Sequence, residues 1–123
     1  MLTPSSRVEY LKRLTNAGFE DVLVLQRATA AQVLTEKRME LVETISTRDV
    51  TSVRDLARQV DRDVSIVSRD LDVLFEAGVV DFEQKGRAKR PVLAHETVLV
   101  EPLVFEGEVN SDGTGDLETE LAA

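Results

Sequence analysis

Four cations, Lys85, Arg87, Lys89 and Arg90, fall within six residues, and no acid stands among them. Such a cluster suits one kind of chemistry, charge-assisted hydrogen bonding to a polyanion. Shortly before it, Ser65, Ser68 and Arg69 are spaced to share one side of a helix. Hydroxyls and a guanidinium there could meet base edges or phosphates. Arg69 suits bidentate pairing with guanine, and a phosphate contact suits it equally. Arg54 and Arg58 stand four apart on the preceding segment, with Arg62 just after it, and Arg54 is expected to join Lys85 and the other clustered cations in contacting the polyanion. The same stretch carries Asp63, Asp70, Asp72 and Glu76. Asp70 and Asp72 read as solvated charges, as partners of Arg69, or as repulsion against a non-cognate backbone.

Other chemistries are poorly supplied. The chain has no cysteine and one histidine, His95. Disulfides, thiolate metal sites and a cysteine nucleophile are excluded, and structural zinc lacks its ligands. A Ser–His–acid arrangement has a single candidate base, and nothing around His95 resembles a nucleophile motif. His95 reads as a strand-end residue. No catalytic residue, no metal and no cofactor is expected, and the chain is not expected to be an enzyme.

Helices must position these residues, and local patterns predict them. "TPSSRVEYLKRLTNAG" reads as a first helix, capped by Ser5 or Ser6 and ended by Gly18, with Val8, Leu11 and Leu14 as a narrow apolar stripe. "FEDVLVLQ", 19–26, suits a short strand or a helix running on into "RATAAQVL". Thr35 caps a better helix, with Leu34, Leu41, Val42 and Ile45 on one side. "TRDVT" reads as a turn. Ser52, followed at the third position by Asp55, opens a short helix whose inward face is Val53, Leu56, Ala57 and Val60. After the polar "DRD" comes a helix over 64–77, capped by Asp63 or Ser65. Its buried stripe is Val64, Val67, Leu71 and Leu74, and Gly78 ends it. "VVDFEQ", "KGRAKR" and "PVLAH" read as strand, loop and strand, with the cations on the loop. "TVLVEPLVF", 97–105, suits a third strand that Pro102 confines to an edge or a bulge.

Two short helices joined by a tight turn, then a hairpin, make a helix-turn-helix unit with a wing. The stretch "TSVRDLARQVDRDVSIVSRDLDVLFEAGVVDFEQKGRAKRPV" resembles the winged helix-turn-helix of archaeal and bacterial transcriptional regulators. It is most similar to small haloarchaeal DNA-binding proteins of the broad MarR/ArsR-like class. "SVRDLA", "VSRDLDVLFEAGVV" and "KGRAKRPV" carry the likeness, and "LTEKRMELVETI" resembles the preceding helix of that class. The likeness spans about residues 34–105. It implies recognition-helix contacts at Ser65, Ser68 and Arg69, and wing contacts at Arg87, Lys89 and Arg90. The fold class expected is α+β, mostly α, a winged helix-turn-helix with an N-terminal helical extension and a C-terminal β-hairpin wing.

The totals set the remaining expectations. At 123 residues the chain fits one domain with tails, and with 42% hydrophobic but only 4% aromatic residues its core must be aliphatic. Three parts are expected: 1–33 as an extension that could dimerise, 34–105 as the DNA-binding domain, and 106–123 as a disordered acidic tail. That tail has six acidic residues and no basic one, which leaves a charge of -2 on residues 1–105 out of a total of -8. Arginine outnumbers lysine 11 to 4 beside 23 acidic residues. Such a surface suits concentrated salt, where the Debye length falls to about 3 Å at 1 M, and an acidic mesophilic protein would look the same. No apolar run reaches the roughly 20 residues of a membrane span, and no signal-peptide layout opens the chain, so a cytoplasmic location is expected. The partners expected are double-stranded DNA and a second copy of the chain, since operators are usually read by two-fold dimers. No membrane or small-molecule partner is evident. The competing function is a winged-helix adaptor that binds protein within a transcription assembly, an idea the acidic tail supports.

Overall fold

Local chemistry starts the helices where the residue types ask for it. In a computed structural model describing residues 6–101, 105 and 107–109, the Thr35 hydroxyl accepts the Arg38 amide at 3.3 Å and opens a helix over Glu36–Thr47. Ser52 accepts the Asp55 amide at 3.0 Å and opens Val53–Gln59. Asp63 accepts the Ser65 amide at 2.8 Å and opens Val64–Glu76. Each cap satisfies an amide that the first helical turn leaves without a partner. Two further helices precede these, Ser6–Asn16 and Arg27–Val33. In chain order the five are α1 (6–16), α2 (27–33), α3 (36–47), α4 (53–59) and α5 (64–76). Of the two caps expected for α1, Ser5 lies outside the described residues.

α4 and α5 end alike, and α1 does the same at the expected Gly18, where φ is 99° and the Phe19 amide donates back to Leu14. At the end of α5 the Val79 amide donates back to the Leu74 carbonyl, with Gly78 at φ 80°. At the end of α4 the Arg62 amide donates back to Ala57, with Asp61 at φ 54°. All three are the left-handed ending that glycine adopts without steric cost. At Gly18 and Gly78 the expectation holds. Asp61 takes the same conformation without being glycine, which aspartate tolerates better than most residues.

The strands are β1 (Val22–Leu25), β2 (Val80–Lys85), β3 (Ala88–Leu93) and β4 (Thr97–Val100). β2 and β3 form an antiparallel hairpin from Val80↔Leu93 to Lys85↔Ala88. Only Gly86 and Arg87 are left in its turn, and Gly86 takes φ 60°. A two-residue hairpin turn of the primed type needs that positive φ at its first position. The expected basic loop is therefore shorter than its sequence suggests: Lys85, Lys89 and Arg90 belong to strands. The expected third strand does not extend the hairpin. β4 pairs instead with β1, in parallel, from Val22↔Thr97 to Leu25↔Val100. A parallel pair needs a long crossover, and here α2 to β3 supply it. Pro102, expected to confine that strand to an edge, lies outside the described residues, as does the expected tail apart from residues 107–109.

The core is aliphatic, as expected. Leu41, Leu56, Val67, Leu71, Leu74 and Val79 are fully buried, joined by Leu25, Ala30, Val50, Ala57 and Val80. Residues 22–33 thus bring Leu25 and Ala30 into the same core. Val64 departs from its expected place, for it is 39% exposed. It is the first residue of α5, and the buried stripe begins one turn later at Val67. No helix among the described residues is long and apolar enough to cross a membrane.

Candidate nucleic-acid interface

α4 and α5 are joined by the Val60–Asp63 turn and pack against each other, and the N-terminal portions of both stand near the hairpin tip. Between them lies an open cleft of about 600 Å³. Ser52, Val53 and Arg54 line it from the start of α4. Val64, Ser65 and Ser68 line it from the start of α5, and Arg87, Ala88 and Lys89 from the hairpin tip. Five of the eight expected contact residues therefore converge: Arg54, Ser65, Ser68, Arg87 and Lys89. Three of them are cations, and no acid lines the cleft. Among the described residues none of the three makes an ion pair, although the Lys89 ammonium stands 5.7 Å from the centre of the Phe82 ring.

The other three expected residues fall elsewhere. Arg69 is exposed on α5 outside the cleft lining, and Lys85 is exposed on the last residue of β2. Arg90 is engaged within the protein. Its Nε donates to the Val50 carbonyl at 3.0 Å, and its Nη1 lies 3.5 Å from the Glu83 carboxylate directly across the hairpin. It ties the hairpin to the segment before α4.

Ser65 is also committed in part. Its hydroxyl donates to the Asp63 carboxylate at 2.6 Å, and that contact is the main reason the carboxyl is held below its ordinary pKa. What Ser65 still offers is an acceptor, which suits a base amino group better than a phosphate. On α4, Asp55 accepts from Thr51 N–H (2.9 Å), Arg58 (2.7 Å) and Gln59 (3.1 Å). The Thr51 amide, followed by Arg58, holds the Asp55 carboxyl down at about 2. Arg58 is thereby neutralised, and Arg54 is left as the cation of that helix which faces the cleft.

Asp70 is not the solvated charge expected. Its carboxylate sits 3.1 Å from Arg38 Nε and 3.5 Å from Arg62 Nη1, and 18% of its side chain is exposed. Arg38 also donates to the Gln32 and Val33 carbonyls at the end of α2. Arg62 donates to the Lys37 carbonyl and to Glu40 on α3. Nε and Nη1 of Arg62 are buried without a hydrogen-bond acceptor among the described residues, and Asp70 compensates Nη1 by charge. This cluster pins α5 against α2 and α3 and sets the angle at which α5 presents its outer face. Sequence reading missed it because Arg38 and Asp70 stand 32 positions apart. His95, expected to have no role, bonds Asp21 through Nδ1 at 2.8 Å, the main cause of a lowered Asp21 pKa. With the Asp21–Glu96 and Asp21–Thr97 bonds it secures the start of the β1–β4 pair. No group of metal-ligating side chains occurs among the described residues.

Helix, tight turn, presenting helix and basic hairpin are together the winged helix-turn-helix fold. The family described as HVO_A0114 matches residues 33–100, more than half of the chain, and the chain belongs to that family. Among solved structures, the chain is similar to the homodimeric winged helix-turn-helix DNA-binding domain of a possible ArsR-family transcriptional regulator from Mycobacterium bovis. The TM-score is 0.52 at 18% identity, over 78% of each chain. Lower scores relate it to reduced HlyU from Vibrio cholerae (0.48, 18% identity, 72% of this chain and 82% of that one). A multiple antibiotic-resistance repressor, MarR, from Listeria monocytogenes scores 0.44 at 23% identity, over 76% of this chain and 65% of that one. The Mycobacterium bovis likeness establishes the fold and nothing finer. Among curated proteins there is no match.

Proposed function

We propose that this protein is a cytoplasmic, dimeric, sequence-specific DNA-binding transcriptional regulator that acts by binding and not by catalysis. Residues 34–105, with residues 22–33 packed into the same core, form the DNA-binding domain, α1 in the remaining N-terminal part is the dimerisation element, and 106–123 are an acidic tail. The N-terminal half of α5 enters the major groove, where Ser65, Ser68 and Arg69 meet base edges. Arg54, Arg87 and Lys89 hold the phosphate strand that crosses the cleft, and Lys85 adds charge at the hairpin's end. The observation that carries this reading is the cleft itself, lined by no acid and by three cations, one from α4 and two from the hairpin, that make no ion pair among the described residues. Membership of a haloarchaeal family supports it, as does the likeness to a domain described as DNA-binding. That membership also favours the salt-adapted account of an acidic, lysine-poor surface.

Salt titration of binding tests the proposal. Each phosphate contact contributes about 0.9 to the slope of log K against log salt. Arg87→Ala combined with Lys89→Ala should weaken binding to every duplex alike and lower that slope by about 2. An unchanged slope would take the hairpin out of the interface.

A further inference from the structure

Val64 stands open to solvent where its periodicity calls for burial, and it lines the cleft beside Ser65 and Ser68, with Arg54, Arg87 and Lys89 among the other lining residues. A branched apolar side chain neither donates nor accepts, so it does nothing for a phosphate. Of the four bases, only thymine presents an apolar group in the major groove, its C5-methyl. That methyl lies at the groove's outer edge, close to its own strand's phosphates. A residue set among phosphate-holding cations is therefore placed to reach it. We propose that Val64 is a specificity-determining residue that packs on a thymine methyl group, and this rests on the DNA-binding reading above.

The salt argument points the same way. Ionic contacts lose strength as salt rises, whereas burial of apolar groups does not, and excluded salts strengthen it. A body of charge -2 with few phosphate contacts needs discrimination that survives concentrated salt. A methyl contact provides it. Ile66 supplies an internal control: it is 49% exposed on the same helix but does not line the cleft.

The test starts from duplexes enriched by the full chain from a random-sequence library. Each thymine in the enriched site is replaced singly by deoxyuridine, which removes the methyl group alone. Affinity is read by fluorescence anisotropy. Burying one methyl is worth a factor of about three to five. At one thymine or more per half-site, deoxyuridine should weaken wild-type binding by that factor. Val64→Ala should bind thymine and deoxyuridine at that position equally, while Ile66→Ala keeps the difference. Both side chains are exposed, and an unchanged thermal midpoint for each variant verifies that folding is intact. If no deoxyuridine weakens binding, or if Val64→Ala keeps the full loss, the inference is overturned and Val64 touches at most the sugar common to all nucleotides. If the library yields no enriched sequence, the sequence-specific reading falls and takes this inference with it.

Discussion

At the scale of single residues, the position most changed by its surroundings is Asp70. In the sequence it is one more acid on an acidic helix. In the fold it lies between Arg38 and Arg62, whose side chains are 20% and 11% exposed. Removing one partner from a largely buried ionic cluster leaves the others desolvated and uncompensated, a costly outcome. Asp70→Ala should therefore lower stability by about 2 kcal/mol, a discounted share of the cost of breaking a fully buried pair. Urea unfolding measures this, and a midpoint equal to wild type would show that the cluster contributes nothing. Capping residues behave differently. Thr35, Ser52 and Asp63 were all legible, because each cap and its amide lie within three residues. Asp70 was not legible, because its partners come from other elements.

At the scale of elements, α4 shows how far local reading goes. A capping box would have Asp55 reach back to the amide of Ser52. Asp55 reaches one residue further, to Thr51, and holds Arg58 and Gln59 as well. These bonds lower its pKa from 3.8 to about 2. A carboxyl depressed by folding stabilises the native state above the unfolded-state pKa, and that contribution is lost as pH falls through the folded value. Stability should thus decline from about pH 4 down to about pH 2, and Asp55→Asn should flatten the decline in that window. Urea midpoints measured at intervals across it will show whether it does. A parallel slope in the variant would assign the acid sensitivity to other carboxyls. The hairpin makes the complementary point. Alternation predicted its strands, but only cross-strand pairing revealed that they run to Lys85 and Ala88 and leave a two-residue turn.

At the scale of the whole molecule, charge and assembly matter most. With the tail set apart, residues 1–105 carry -2, and Arg54, Arg87 and Lys89, which make no ion pair among the described residues, gather at the cleft. Few ionic contacts mean a shallow salt dependence, which is what a DNA-binding protein needs if it works in concentrated salt. The proposed assembly centres on α1. Leu11 on this helix is exposed and Leu14 is half-buried, and α1 makes no more than slight contact with any other element among the described residues. A dimer formed through α1 would bury that stripe and set two α5 helices to meet half-sites one turn apart, about 34 Å. Sedimentation equilibrium should report a dimer for the wild type and a monomer for Leu11→Arg, with the thermal midpoint of the fold little changed. A variant that remains dimeric would place the interface elsewhere.

Sequence alone determined what short-range chemistry controls: the helices from α3 onward, their caps, the stripe of Val67, Leu71 and Leu74, the glycine that ends α5, and the existence of a hairpin bearing cations. Each depends on residues within a few positions of one another, where a period of 3.6 or 2 leaves a trace. Tertiary structure alone decided three things. It paired β1 with β4 across some seventy residues. It placed Asp70 between two arginines. It gathered Arg54, Val64, Ser68, Arg87 and Lys89 from separate elements around one cleft. Packing chooses such partners by shape and charge across distances that no periodic pattern encodes. That is why the cations were visible in the sequence, and the exposed valine beside them was not.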